Sequence, residues 1–272
     1  MKNAILNNGK SMPMLGLGVF KCSEEEAYNA VKSALEIGYS HIDTAMIYKN
    51  EQAVGQAIKD SKIPREKLFI TTKLWNDDMR NDNQRNAIEN SLKKLGLDYV
   101  DLYLIHWPVK EKYVSSWLEM EKIYKEGLAK SVGVSNFLIH HLEDIFKASD
   151  LIPAVNQVEF HPYLVQKELT DFCKKHNIQF ESWSPLGAKK NSLLEDKTIL
   201  DLSEKYNKTP AQIILRWNID KGIVTIPKSS NKERQLQNIS IFDFELTNDD
   251  INKIDSLDRD DRVGSHPDTF DF

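Results

Sequence analysis

The chain has 272 residues, 40% hydrophobic and 28% charged, a soluble globular balance with material for a large core. A net charge of −5 gives no electrostatic reason to expect nucleic acid or an anionic membrane as partner. Cys22 and Cys173 stand far apart, outside CxxC or metal-ligand spacing, and predict two free thiols in a reducing cytoplasm. The start, MKNAILNNGKSMPML, lacks the apolar core of a signal peptide, and no window approaches the roughly 20 apolar residues of a membrane span.

In chain order, "AIL", "NNGK" and "MPML" predict a hairpin, with Asn8-Gly9 as a turn whose two positions both tolerate positive φ. Strand and helix patterns then alternate. "MLGLGVF" precedes a helix from about Ser23, an N-cap candidate with Glu26 three residues on. "SHIDT" precedes "NEQAVGQAIKD", and "KLFITTKLW" precedes "NQRNAIENSLKKLG". "YVDLYLIHWP" precedes "SSWLEMEKIYKEG", and "AKSVGVSNF" precedes "HHLEDIFKAS". "PAVNQVEFHP" precedes "KELTDFCKKHN", and "IQFESWSPLG" precedes two helical stretches ending near Lys221. "GIVTIPKSS" precedes "NKERQLQNIS", and the polar "LDRDDRVGSHPDTFDF" reads as a tail laid over the surface or a site.

Eight strand-then-helix units without a Ser/Gly/Pro-rich linker predict one domain over residues 1–272, a (β/α)₈ barrel with an N-terminal hairpin and a short C-terminal tail. The alternative, an open doubly wound sheet, would more often carry G-x-G-x-x-G after its first strand, where this chain has only Gly16-Leu-Gly18.

In a barrel the active face is the C-terminal end of the strands. Asp43, Lys73, His106, Ser135, Asn136, Gln157, Glu159, His161, Trp183, Ser184, Lys228, Ser229 and Arg234 all fall at or just after predicted strand ends. Each alone has a structural explanation, as a cap, a packing group or a solvated charge. Together they suggest more. Lys73 lies between apolar residues in "ITTKLW" and needs an anion, for which Asp43 on the adjacent strand is the nearest candidate. A cation beside Tyr48 would lower its pKa, so Asp43, Lys73, Tyr48 and His106 assemble as a proton-donating centre for a carbonyl oxygen. Lys228, Ser229 and Arg234 surround a helix N-terminus after the last strand, a place suited to a phosphate monoester.

The motifs "MPMLGLGVF", "GYSHIDTAMIYKNE", "TTKLW", "LIHWP", "SVGVSNF", "NQVEFHP", "WSPLG" and "IPKSS" resemble the aldo-keto reductase superfamily over nearly the full length, in particular its bacterial diketogluconate-type and methylglyoxal-type members. The resemblance implies a (β/α)₈ barrel that uses NADPH without a Rossmann fold to reduce small aldehydes, α-dicarbonyls or ketones. It implies Asp43, Tyr48, Lys73 and His106 as catalytic residues, with Tyr48 the general acid. It implies Ser135, Asn136 and Gln157 around the nicotinamide carboxamide, and Trp183 stacked on the ring. Ser184, Leu186 and Gly187 would form the pyrophosphate loop, Lys228, Ser229 and Arg234 the 2′-phosphate site, and Gln237 with Asn238 the adenine contacts. Phe20, Trp75 and Trp107 would line the substrate pocket, and Phe20 replaces the Trp of many eukaryotic relatives. The short tail, with Arg262, His266 and Asp268 at the rim, would leave that pocket open and able to take a polar far end.

Two other classes fit parts of the pattern. A metal-dependent barrel hydrolase would use His106, Glu159 and His161 as ligands, but leaves Lys73 unexplained. A non-catalytic binding protein could use the same scaffold. The expectation is a cytoplasmic monomeric enzyme with a small-molecule carbonyl substrate, no metal, no nucleic acid and no membrane.

Overall fold

The computed structural model describes residues 2–187 and 192–270, so the last two tail residues, Asp271 and Phe272, lie outside the described residues. β1 (Asn3–Ile5) and β2 (Ser11–Pro13) pair antiparallel with Ala4 opposite Met12. Of the two turn residues expected at positive φ, Gly9 takes it (79°) and Asn8 does not. The Asn8 amide is committed elsewhere, donating to the Lys130 carbonyl and to Ser131 Oγ.

Eight parallel strands follow: β3 (Leu17–Gly18), β4 (His41–Asp43), β5 (Phe69–Leu74), β6 (Leu102–Ile105), β7 (Val132–Ser135), β8 (Val155–Glu159), β9 (Gln179–Trp183) and β10 (Val224–Thr225). Each pairs with its neighbours in sequence. Parallel bridges between Leu15 and Thr225 and between Gly18 and Lys228 join the first strand region to the last, and the sheet closes as a barrel.

The helices between them are α1 (Glu24–Ile37), α2 (Glu51–Ser61), α3 (Asn76–Arg80), α4 (Gln84–Leu95), α5 (Tyr113–Lys125), α6 (Ile139–Ala148), α7 (Lys167–Lys175), α8 (Lys197–Tyr206), α9 (Pro210–Asp220), α10 (Lys232–Ile239) and α11 (Asn248–Asp255). α1 shows why the pattern is legible. Ser23 and Glu26 form a capping box, Ala27, Ala30, Val31, Ala34 and Leu35 bury one face, and Gly38 at φ 112° ends the helix. α3 and α11 were not anticipated. α11 begins at Thr247, whose side chain accepts the Asp250 N–H.

Side-chain alternation along the strands separates two cores. Residues such as Ile42, Ile70, Tyr103 and Ile105 pack outward against the helices. Phe69, Leu102, Leu104, Val155 and Val224 fill the barrel interior, with Leu6 and Met12 of the hairpin region packed among them. At Gly133 a Cβ would lie 2.5 Å from the Val155 carbonyl oxygen and 2.9 Å from Leu104 Cδ2, so only glycine admits that packing. Two residues further along the inward rows, Phe69 gives way to Thr71 and then Lys73, and Val155 to Gln157 and then Glu159. The interior therefore changes from apolar to ionisable toward the C-terminal ends of the strands.

Candidate active site

Lys73 is fully buried, and its Nζ donates to Asp43 Oδ1 at 2.6 Å and to the Thr44 carbonyl at 3.0 Å. Burial opposes the ammonium, but the carboxylate of Asp43 and the neighbouring Tyr48 outweigh it and hold the Lys73 pKa above its ordinary value. The pairing expected from sequence is thus formed.

Tyr48 closes a 3₁₀ turn, Met46–Tyr48, that Lys49 ends in the left-handed conformation. Its ring lies 5.2 Å from Lys73 Nζ, 5.0 Å from the Phe20 ring and 5.7 Å from His106. Here the expectation of an acidified phenol is corrected. Burial raises the Tyr48 pKa, Lys73 lowers it, and the net direction is upward. The lysine limits the rise without reversing it. His106 packs edge-on to Trp75 at 5.2 Å, and its pKa is driven well below the ordinary histidine range by burial and by Lys73. It is neutral, and its Nδ1 has no hydrogen-bond partner.

The residues of the next three strands meet the same group. Ser135 Oγ donates to the Gln157 carbonyl at 2.8 Å. Asn136, at φ 64°, donates to the His106 carbonyl and to Ser135 Oγ, while Trp183 Nε1 donates to Asn136 Oδ1 at 2.8 Å. Gln157 Nε2 donates to Asp43 Oδ2 at 2.8 Å and to Glu181 Oε2 at 2.9 Å. Sequence reasoning passed over Glu181 and its neighbour His41. Both are fully buried, 3.7 Å apart, and the signal was a carboxylate at the centre of the strand "QFESW".

After β9, Ser184 (φ 49°) and Gly187 (φ 66°) turn the chain, with the Gly187 N–H on the Ser184 carbonyl and Leu186 packed on the core. After β10, Lys228 is exposed and Ser229 buried, and Ser229 Oγ bonds the backbone of Asn231. Asn231 caps α10 by accepting the Arg234 N–H. Arg234 and Gln237 are exposed on that helix and Asn238 is buried. The Gly18–Lys228 bridge ties this segment to the first strand of the barrel.

Of the three aromatic residues expected to line the substrate pocket, Phe20 is 53% exposed and touches Tyr48, Trp75 touches His106, and Trp107 stacks on Phe270 of the tail at 4.0 Å. The tail lies over the site, as expected, and is anchored there. Glu159 accepts the Val263 and Gly264 N–H groups at 2.6 and 2.9 Å, and Arg262 donates to Gln166. Asp268 lies 3.0 Å from His140 and 3.4 Å from His141. Arg262 and Asp268, expected to face a substrate, thus hold the tail.

Glu159 and His161 do pair at 3.1 Å, but His106 does not join them in a metal-sized cluster. Among the described residues the group with that spacing is His140, His141 and Asp268. His141 Nδ1 already accepts the Leu138 N–H, which leaves the proton on the Nε2 that a metal would need.

A closed parallel barrel with an ion-paired lysine, a tyrosine and a neutral histidine at the C-terminal ends of its strands defines an enzyme of the barrel class. The aldo/keto reductase family model matches residues 14–259. Glyoxal reductase of Bacillus subtilis (strain 168) is 52% identical over 268 residues, 98% of this chain and 96% of that protein. Methylglyoxal reductase DkgA of Escherichia coli (strain K12) is 49% identical over 267 residues, covering 97% and 96%. The structure of a Bombyx mori aldo-keto reductase in complex with NADP superposes with a TM-score of 0.92 at 38% identity, covering 98% of this chain and 96% of that one. The chain belongs to the aldo/keto reductase family. It is an NAD(P)-dependent oxidoreductase that reduces carbonyl compounds. No helix among the described residues is long and apolar enough to cross a membrane.

Proposed function

We propose that the protein reduces small aldehydes and α-dicarbonyls to alcohols, with Tyr48 giving the proton to the carbonyl oxygen. The observation that carries this is the buried Lys73–Asp43 pair at 2.6 Å beneath the Tyr48 ring. A buried lysine held charged has one electrostatic consequence at that distance: it stabilises negative charge developing on the phenol oxygen as the proton leaves. Asp43 keeps Lys73 charged. Neutral His106 offers an N–H to the same substrate oxygen and does not change charge over the neutral range.

The residues present fit NADPH. Lys228, Ser229 and Arg234 stand at the N-terminus of an eight-residue helix, where backbone N–H groups and two exposed cations favour a phosphate. Gln237 and Asn238 lie one turn further along for the adenine. The loop Ser184–Gly187 offers turned backbone for the pyrophosphate. Ser135, Asn136 and Gln157 offer hydroxyl and amide groups to the carboxamide, and Trp183 a half-buried ring for stacking. NADPH, when bound, supplies the hydride. Complexes of relatives with NADP, and relatives named for glyoxal and methylglyoxal, support this assignment.

Phe20, Trp75 and Trp107 make an aromatic collar that favours carbonyl carbons with little bulk beside them. The test is initial rates with NADPH on methylglyoxal, simple benzaldehydes, a diketo sugar acid and a ketosteroid. The α-dicarbonyls and small aldehydes should give the higher kcat/KM. A steroid turned over far better than the rest would refute the reading.

A further inference from the structure

We propose that Glu181 is a positioning residue for the proton-donating centre: as a neutral acid it holds Gln157, and through Gln157 Asp43, and when it loses its proton it adds the charge that raises the proton affinity of Lys73 and Tyr48. This rests on Tyr48 being the proton donor.

The geometry assigns the proton. Glu181 is fully buried, opposite Gln157 in the β8–β9 register. One amide nitrogen, Gln157 Nε2, bridges two carboxyl groups at 2.8 and 2.9 Å. Of those two, Asp43 has the ammonium of Lys73, whereas among the described residues Glu181 has within 4 Å only His41 as an ionisable partner. His41 Nδ1 lies 3.3 Å from the Pro13 carbonyl, which accepts and cannot donate, so the ring proton is on Nδ1. Nε2 is therefore an acceptor, with the Thr71 hydroxyl 3.4 Å away, and has no proton to give Glu181 Oε1, which lies 3.7 Å off without a hydrogen-bond partner. A buried carboxylate oxygen with no donor is costly. A proton on the Glu181 carboxyl removes that charge.

The groups that face Glu181 are His41 and Asp43 from β4 and Lys73 from β5, and its β10 register partner is apolar Val224. Burial, and then the charge of Asp43, push the Glu181 pKa up to about 8, while burial pushes His41 down to about 4. At neutral pH the group around Gln157 thus carries one ion pair, Asp43 with Lys73. Ionised Glu181 makes the cluster net negative. That favours the protonated forms of Lys73 and Tyr48, so the phenolate needed to accept a proton in alcohol oxidation forms at higher pH.

Alcohol oxidation with NADP⁺, followed from pH 6 to 10 in the parent and in Glu181→Gln, tests this. The apparent pKa of the essential base should fall by about one unit in the variant. The change should appear in kcat with KM for NADP⁺ unmoved. Superimposable profiles, or an even loss of rate at every pH, would overturn the proposal. An infrared pH titration reads the same group without turnover. A protonated-carboxyl band should be present in the parent and in Tyr48→Phe, bleach as the pH passes about 8, and be missing in Glu181→Gln. No such titrating band in the parent overturns the proposal, and this holds even if the variant fails to fold. A Tyr48→Phe enzyme that turns over normally but keeps the band would refute the Tyr48 assignment alone.

Discussion

Gly264 of the tail lies against the indole of Trp183 so closely that a Cβ on it would be 2.4 Å from Trp183 Cη2 and 3.0 Å from Glu159 Oε2. The backbone must pass there because Glu159 accepts the N–H groups of Val263 and Gly264. Gly264→Ala therefore forces either the indole or the tail to move. Both outcomes change the wall of the pocket, and neither touches the main core. The expected result is a several-fold rise in KM for the carbonyl substrate with the thermal midpoint nearly unchanged. Steady-state kinetics and a melting curve check it.

Tyr48→Phe removes the hydroxyl and keeps the ring that packs on Phe20 and His106. Proton donation by a positioned acid is worth roughly 10² to 10⁴-fold. Turnover should fall by that order while NADPH still quenches tryptophan fluorescence with the parent's affinity. A rate within a few-fold of the parent is incompatible with the proposed mechanism.

Lys73→Met keeps the side-chain length and removes the charge. Among the described residues Asp43 then keeps only the Gln157 amide as a side-chain donor, and it is buried. Breaking one half of a buried pair typically costs about 3–5 kcal/mol. Both turnover and the urea midpoint should drop. Full activity would show that the lysine's charge does not act on Tyr48.

The barrel was legible because its units repeat: short apolar strands, amphipathic helices and caps such as Ser23 with Glu26 give the same local signal eight times. The Lys73–Asp43 pair was legible because a lysine between apolar residues requires an anion. The direction of the Tyr48 shift was not, since it depends on how far burial outweighs a cation and sequence gives no depth. The bridge from Glu181 to Asp43 was hidden for a related reason: it depends on strand register, with Gln157 opposite Glu181. The tail's polarity suggested a cover over the surface or a site, but not its anchor: Glu159, 104 residues from Val263 in sequence, fixes it through backbone N–H groups that no side-chain pattern reveals.

Arg234 is exposed on α10, with its own N–H satisfied by Asn231. Its guanidinium has a role only if an anion is brought to it. Arg234→Ala should weaken NADPH by about tenfold, the range of a charge-assisted hydrogen bond. NADH lacks the 2′-phosphate and should change little. Fluorescence titration with both cofactors gives the ratio, and equal losses would make Arg234 a surface charge of the helix.

Stability should fall on mild acidification, and the sign follows from three buried histidines. His41 and His141 are pushed down to about 4, and His106 well below the ordinary 6.5, in each case chiefly by burial. In the unfolded chain these rings take up protons from about pH 6.5 downward, and in the folded protein they resist. The unfolded state therefore binds more protons between 6.5 and 4, and stability present above 6.5 is lost across that window. Each unit of separation corresponds to about 1.4 kcal/mol per group. Glu181 acts with the opposite sign, since it keeps its proton in the fold up to about 8 and in the unfolded chain loses it near 4.5. Asp101, also raised chiefly by burial, acts in the same direction as Glu181, and three histidines against these two carboxyls leave a net loss toward acid. Urea midpoints measured at about pH 7 and pH 5 should differ clearly in the parent. In His41→Gln the difference should shrink, because one of the three titrations is gone. An unchanged slope in that variant would mean that His41 is protonated in the fold, and the tautomer that leaves Nε2 without a proton for Glu181 would be wrong with it.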